Sequence, residues 1–452
     1  PKIENKGQIL AWSMFDFANQ PFTNLVVTFI YGTFFTTVIA SNQIIGTQQW
    51  SHAISITAII AALLSPFMGA LADRGGYRKI FLFGFTWVTI ISTTALYFVL
   101  PGEIMPALIY FVIANIGFEM GSVFCNAYLP DISHSKNIGR ISGYGWSLGY
   151  LGGLIALALA MIFLVQADNP IFGFGKGLEG AYENIRATNL LVAIWFAVFS
   201  IPTFVYLKDR KPDAKALLRN AKDTMKDFRS TAKELKNYPQ IITFLVARLF
   251  YNDGLVTIFA FGGIYAAGSL DFSFDEIMIL GIVLNITAGI GAFLMGFLDD
   301  KVGGKKTIRV TLIGLMIAII LAVLAPELRP LAQLLFGGSS VPDWLTAKNI
   351  FWFAAILIGV FSGPNQASSR SLMGRFTPEN KKNEFFGFFA FSGKATAFLG
   401  PFLLGSLTMY FESQRVGISV IFLFFLAGFI LLNRVDEVMG MKHGSLESNR
   451  LE

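Results

Sequence analysis

Long apolar runs recur along the whole chain, and they decide what it can fold into. A helix needs about 20 apolar residues to cross a bilayer. Runs of that length are readable at roughly 10–40, 49–72, 79–100, 104–128, 140–166, 188–207, 240–268, 275–298, 307–326, 349–373, 384–411 and 415–433. Twelve such runs predict an all-α membrane protein. Several exceed about 25 residues and must tilt, bend or project from the membrane. Charged residues make up 14% of the chain, where soluble globular proteins average about a quarter. One interior core cannot hide this much apolar surface, so lipid is the solvent for much of it.

Several function classes drop out. The net charge of +6 comes from short basic clusters between apolar runs, which gives no nucleic-acid footprint. The single Cys125 excludes an internal disulfide framework and any multi-cysteine metal site. His52, His134 and His443 are scattered, and neither a metal nor a cofactor is expected. The segment Gly143-Tyr144-Gly145-Trp146-Ser147-Leu148-Gly149 superficially suggests a dinucleotide loop. Its last glycine comes one place late and no strand precedes it, so helix packing is the better reading. There is no P-loop, no Ser/His pair and no clustered His, so an enzyme is not expected. No cleavable leader is expected either, because the polar start from Pro1 to Gln8 is short and the first apolar run is long enough to span.

Basic residues set the orientation. With the N-terminus inside, the inner segments hold Lys2, Lys6, Arg74, Arg78, Lys79, Lys136, Arg140, Lys301, Lys305, Lys306, Arg309, Arg375, Lys381, Lys382, Arg434 and Lys442. The outer segments hold only Lys176, Arg186, Arg329, Lys348 and Arg415. An inner (cytoplasmic) membrane protein with both termini in the cytoplasm follows.

The one long polar segment, 208–239, divides the chain into six-span halves at 1–207 and 240–436. Its residues Leu218, Ala221, Met225, Phe228, Ala232 and Leu235 recur at spacings of three and four, between Pro212 and Pro239. That pattern predicts a helix lying on the inner membrane surface, with a solvated tether as the alternative. The tail 437–452 is read as cytoplasmic; its last stretch, Ser445 to Glu452, reads as an appended sequence and is left out of the fold.

The halves repeat each other. Gly69-Ala70-Leu71-Ala72-Asp73-Arg74-Gly75-Gly76-Tyr77-Arg78-Lys79 aligns without a gap on Gly296-Phe297-Leu298-Asp299-Asp300-Lys301-Val302-Gly303-Gly304-Lys305-Lys306. Gly143 and Gly149 are echoed at the same spacing by Gly387 and Gly393. Duplicated six-helix halves with a site between them are a transporter signature. The first of these loops resembles the signature loop of the major facilitator superfamily. That resemblance implies two six-helix bundles related by a pseudo-two-fold axis, and a lock between halves built on Gly69, Asp73, Arg74, Arg78, Gly296, Asp300 and Lys301, with Asp131 as a partner. The bland alternative is a tight inner turn obeying the positive-inside rule.

A narrower resemblance rests on four stretches. They are Trp12-Ser13-Met14-Phe15-Asp16-Phe17-Ala18-Asn19, Arg248-Leu249-Phe250-Tyr251-Asn252-Asp253-Gly254, Gln366-Ala367-Ser368-Ser369-Arg370-Ser371, and Phe385-Phe386-Gly387-Phe388-Phe389-Ala390-Phe391-Ser392-Gly393-Lys394. They resemble the vacuole-effluxer branch of the superfamily, whose fungal members are linked to autophagy and vacuolar amino-acid export.

Polar residues inside the spans gather on single helical faces. Span one carries Asp16, Asn19, Gln20 and Thr23; span four Asn115, Glu119, Ser122 and Asn126; span seven Arg248 and Asn252, with Asp253 displaced; span ten Ser362, Asn365, Gln366, Ser369 and Arg370. Span eleven adds Lys394. Pro21 and Pro364 predict bends. Together these stripes predict a polar cavity suited to a zwitterion, its carboxylate meeting Arg370 or Lys394 and its ammonium Asp16 or Glu119. Glu119 is the first choice for carrying a coupling proton and Asp16 the second. The bland alternative is that these charges only pair with one another to hold the halves together.

The expected function is secondary active transport by alternating access: proton-coupled export of a small zwitterion such as an amino acid. A carrier of a larger amphiphile (a lysolipid, siderophore or drug) is the alternative, and a non-transporting receptor or assembly protein the alternative of another class. The partners expected are a small-molecule substrate, protons and the lipid bilayer, with no nucleic acid. One chain supplies a whole cavity, so a monomer is expected.

Overall fold

The computed structural model describes residues 5–41, 43–209, 235–336 and 342–448. Eleven of its helices are long and apolar enough to cross a membrane. In chain order the crossings are α1 (Lys6–Ile39), α2 (Gln43–Gly75), α3 (Arg78–Tyr97), α4 (Ile104–Ile132), α5 (Ile138–Val165), α6 (Glu183–Tyr206), α7 (Pro239–Leu270), α8 (Phe274–Val302), α9 (Gly304–Phe336), α10 (Ala347–Phe376), α11 (Lys382–Ser392 then Leu399–Tyr410) and α12 (Gln414–Asn433). A further helix, α13 (Glu437–Ser448), closes the described chain.

One sequence expectation needs correction. The eleventh span is not continuous; it is two helices in series, because Pro401 cannot donate to the carbonyl four residues before it, and Gly393 and Gly400 hold helix weakly. Helix α13 occupies most of the tail from 437. The proposed surface helix of the linker lies almost wholly outside the described residues.

Proline positions explain the other irregularities. Pro21 lacks the N–H that would bond Phe17, and the freed Phe17 carbonyl accepts from Trp195 Nε1 at 3.1 Å. Past Pro21 the helix loosens into a wider turn over Phe22–Phe29. In α10, Pro364 likewise frees the Val360 carbonyl, which lies against Gly291 of α8.

Each half buries its own apolar residues. Trp12, Phe15, Phe124 and Phe196 belong to one N-terminal cluster, and Phe22, Tyr31, Phe35 and Phe111 to another. The C-terminal half is organised around Phe244, Tyr251, Phe376 and Phe425, and Ala127 is the one N-terminal residue among the buried members of that cluster. The halves meet instead through glycines and polar groups, with α5 against α8 and α2 against the first piece of α11. A Cβ on Gly143 would lie 2.5 Å from the Ala292 carbonyl oxygen, and one on Gly387 2.5 Å from that of Ser65. Such contacts let backbones approach without interlocking side chains.

Candidate functional site

The interior of the bundle is crossed by two ion pairs. Arg370, from α10, reaches entirely into the N-terminal half. Its Nη1 donates to Asp16 Oδ2 at 2.8 Å and to Asn126 Oδ1 at 3.0 Å. Its Nε donates to the Ser142 hydroxyl at 2.9 Å and its Nη2 to the Ser142 carbonyl at 2.7 Å. The guanidinium also lies 4.6 Å from the Trp12 ring centre and 5.6 Å from that of Trp146. Four elements, α1, α4, α5 and α10, thus converge on one cation. Gly145 makes room for it: a Cβ there would fall 2.5 Å from Asp16 Oδ2.

The second pair joins Lys394 to Glu119 Oε1 at 2.6 Å, between the break in α11 and the middle of α4. Lys394 is about a third exposed and Glu119 about a fifth, so this pair is the more open of the two.

The break in α11 is held by α7. Arg248 Nη1 donates to the Phe389 carbonyl at 2.6 Å and to the Ser392 hydroxyl at 2.8 Å, with the guanidinium 3.7 Å above the Phe389 ring. Asn252 donates to the Gly393 carbonyl at 2.9 Å. The carbonyls that the break releases are therefore satisfied by the polar face of α7.

Other sequence candidates fall elsewhere. Asn365 is fully buried and donates to Thr311 on α9 at 2.9 Å, away from the ion pairs. It stands five residues before Arg370, about 140° around the helix, so the two cannot share a face. Asp253 is wholly buried beside the α11 break, and neither of its carboxylate oxygens has a hydrogen-bond partner among the described residues. Asn19 is buried within α1, and Gln20 packs close to Gly153 of α5. Gln366 is half-buried.

A second polar layer lies at the end of the bundle that carries both chain ends. Asp73 accepts from the Asn383 backbone at 3.1 Å, the Asn383 side chain at 2.7 Å and the Glu384 backbone at 2.9 Å, which caps the start of α11. Gly69 is packed so tightly there that a Cβ would overlap the Asn383 carbonyl. Its counterpart Asp300 accepts from the backbones of Gly139 and Arg140 at 2.8 and 3.3 Å and pairs with the Arg140 guanidinium. Gly296 brings α8 within contact of Arg140, with a notional Cβ 3.0 Å from its Cα. Asp131 bridges the halves, pairing with Arg78 at 2.6 Å and with Lys382. Lys301 is exposed, and the Arg74 side chain lies outside the described residues. The hydrogen bonds and ion pairs that join the halves, among the described residues, all lie in this layer or at the depth of Asp16 and Glu119. The bundle is latched at this end.

Sequence reasoning missed several members of the latch. Asp299 is fully buried and pairs with Arg375 at 2.6 Å. Asp209 accepts from the Lys79 backbone at 2.8 Å and lies 3.4 Å from Arg78. Glu437 does the same in the other half, accepting from the Gly304 and Lys305 backbones at 2.9 and 3.0 Å. Both acids follow a buried apolar residue by two places, Leu207 and Val435, so extending the repeat to the last span of each half would have found them. Glu437→Ala is expected to uncap α9 and weaken the hold on Arg375, lowering stability by about 1–2 kcal/mol. Thermal unfolding in detergent measures this, and an unchanged midpoint would show that α13 is not tied down through this residue.

Twelve crossings in two repeated bundles, with ion pairs spanning the seam, define a secondary transporter of the major facilitator class. The fold matches the proton:xylose symporter XylE, with a TM-score of 0.68 at 12% identity over 98% of this chain and 97% of that one. It also matches a bacterial homologue of the iron transporter ferroportin in an outward-facing state, with a TM-score of 0.66 at 14% identity over 96% and 99%. Within that class the chain belongs to the family described as "Vacuole effluxer Atg22 like", whose profile matches residues 50–445. It is 25% identical to the "Uncharacterized MFS-type transporter YxiO" of Bacillus subtilis, over 94% of each chain. It is 24% identical to autophagy-related protein 22 of Cryptococcus neoformans over 68% of this chain, a match that spans about half (54%) of that protein.

Proposed function

We propose that this multi-pass membrane protein exports a small zwitterion of the amino-acid type, coupled to protons and working by alternating access. One observation carries the reading: the two acids that pair across the seam in the interior, Asp16 and Glu119, stand on the N-terminal half, and each is matched by a base, Arg370 or Lys394, on the C-terminal half. A solute with one ammonium and one carboxylate can replace either pairing charge for charge, loosening the seam as it binds. The family description, an effluxer, supports the direction. The excess of Lys and Arg at the end carrying both termini supports a cytoplasmic position for that end and for the latch.

Glu119 is paired with the far more exposed of the two bases, Lys394, which suits a group that exchanges protons with the space between the halves. Glu119→Gln is expected to weaken solute exchange, leaving the ammonium only a neutral acceptor, and to abolish gradient-driven accumulation. The test is counterflow in proteoliposomes over the standard amino acids, with a pH-gradient arm. Exchange by the wild-type protein with no dependence on Glu119 in either arm would remove it as the proton carrier. No exchange with any amino acid, in folded protein, would overturn the substrate class.

A further inference from the structure

We propose that Arg248 anchors the carboxylate of the transported solute. This rests on the transporter reading above and assigns the anionic half of the site to α7, where the sequence alone favoured Arg370 or Lys394.

Three basic side chains reach the interior of the bundle between the halves. Arg370 is consumed by Asp16, Asn126 and both oxygens of Ser142. Lys394 is matched by Glu119. Arg248 has no acid within ion-pair distance among the described residues; its partners are a carbonyl, a hydroxyl and the face of Phe389. Both hydrogen bonds leave from Nη1, so Nε and Nη2, the edge that grips a carboxylate bidentately, make none among the described residues. Asp253, on the same helix, forms no ion pair with it and is sealed behind the break in α11. A guanidinium held in place by neutral groups in a membrane interior lacks the counter-charge that such a group demands.

Its surroundings fit the missing anion. Arg248 is half-buried and not walled in. Gly393 lies directly against the guanidinium, where a Cβ would sit 2.7 Å from Nη1. Asn252, on the same face of α7, borders the same break. The next residue after Gly393 is Lys394, whose partner Glu119 faces it from the other half. A zwitterion with its carboxylate on Arg248 would therefore present its ammonium towards Glu119, competing with Lys394. Binding at Arg248 would release the more open of the two cross-seam pairs.

A residue that only staples the α11 break and one that binds a carboxylate respond differently to the charge of the competing solute. Wild type, Arg248→Gln and Arg248→Lys are reconstituted, and counterflow of labelled amino acids is competed with unlabelled amino acids and with their carboxamides. The amides keep the ammonium and side chain and lose only the negative charge. On the wild type the amides are expected to compete about a hundredfold more weakly than the acids. In Arg248→Gln that preference collapses to near unity, and Arg248→Lys retains part of it. Equal competition by acids and amides on the wild type, or an acid preference that survives in Arg248→Gln, overturns the assignment. A stapling residue would lower activity without changing the acid-to-amide ratio, and that result also overturns it. If the wild type exchanges no amino acid, the substrate reading falls and Arg248 is judged separately by thermal unfolding with simple monocarboxylates. Stabilisation by acetate or lactate that is absent in Arg248→Gln upholds the anion site, and no stabilisation in the wild type removes it.

Discussion

Arg370→Ala is expected to abolish exchange and to lower stability by about 3–5 kcal/mol. The magnitude follows from what is left behind. Asp16 would be a carboxylate within α1 with its one ion-pair partner among the described residues gone, and the Ser142 carbonyl and Asn126 side chain would lose a donor they cannot replace from lipid. Arg370→Lys should recover part of the stability and little of the transport, because an ammonium cannot reach Asp16 and Ser142 together. Thermal unfolding alongside counterflow measures both. A protein that unfolds normally and still exchanges solute after Arg370→Ala would mean that this pair is incidental to the cycle.

Gly69→Leu should leave the protein folded but unable to latch. A Cβ at this position overlaps the backbone carbonyl of Asn383, and backbone, unlike a side chain, cannot rotate aside. Overpacking of this kind costs about 1–3 kcal/mol, and here it falls only on the state in which α2 touches α11. The population should shift about five- to a hundredfold towards the opposite state, with exchange falling in step. Spin labels at the exposed Lys136 and Lys301, one on each half at the latched end, should move apart. Gly84→Ala is the control, since nothing lies within 4 Å of its notional Cβ. Unchanged label distances in Gly69→Leu would mean that the contact between α2 and α11 does not define the latched state.

The sequence carried the architecture well because its signals are local and repeated. Run length fixes a span, and the gapless match of Gly69–Lys79 to Gly296–Lys306 fixes the duplication. Face periodicity told which residues look inward, yet it could not say what they meet, since Asp16 and Arg370 are 354 positions apart. Asn365 shows the limit of the method: three- and four-residue steps from Ser362 and Ser369 admitted it to the stripe, while its angle from Arg370 sent it to Thr311. The break in α11 was written in Gly393, Gly400 and Pro401, but an apolar run hides such marks when only its length is counted. Which base lacks an acid was unreadable, because that depends on how every other charge is matched.

The separation of the apolar cores has a consequence for origins. A bundle that buries Phe244, Tyr251 and Phe425 without help from its neighbour has little need of that neighbour in order to exist. What joins the halves is glycine contact, capped helix ends and a few ion pairs, the kind of surface that two separate copies of one ancestral chain could present to each other. Gene fusion would then have required only a tether, and once fused each copy was free to specialise, as at the two interior ion pairs, where the N-terminal half supplies the acids and the C-terminal half the bases. The asymmetry of charge at the interior pairs of an otherwise symmetric scaffold is what that history would leave.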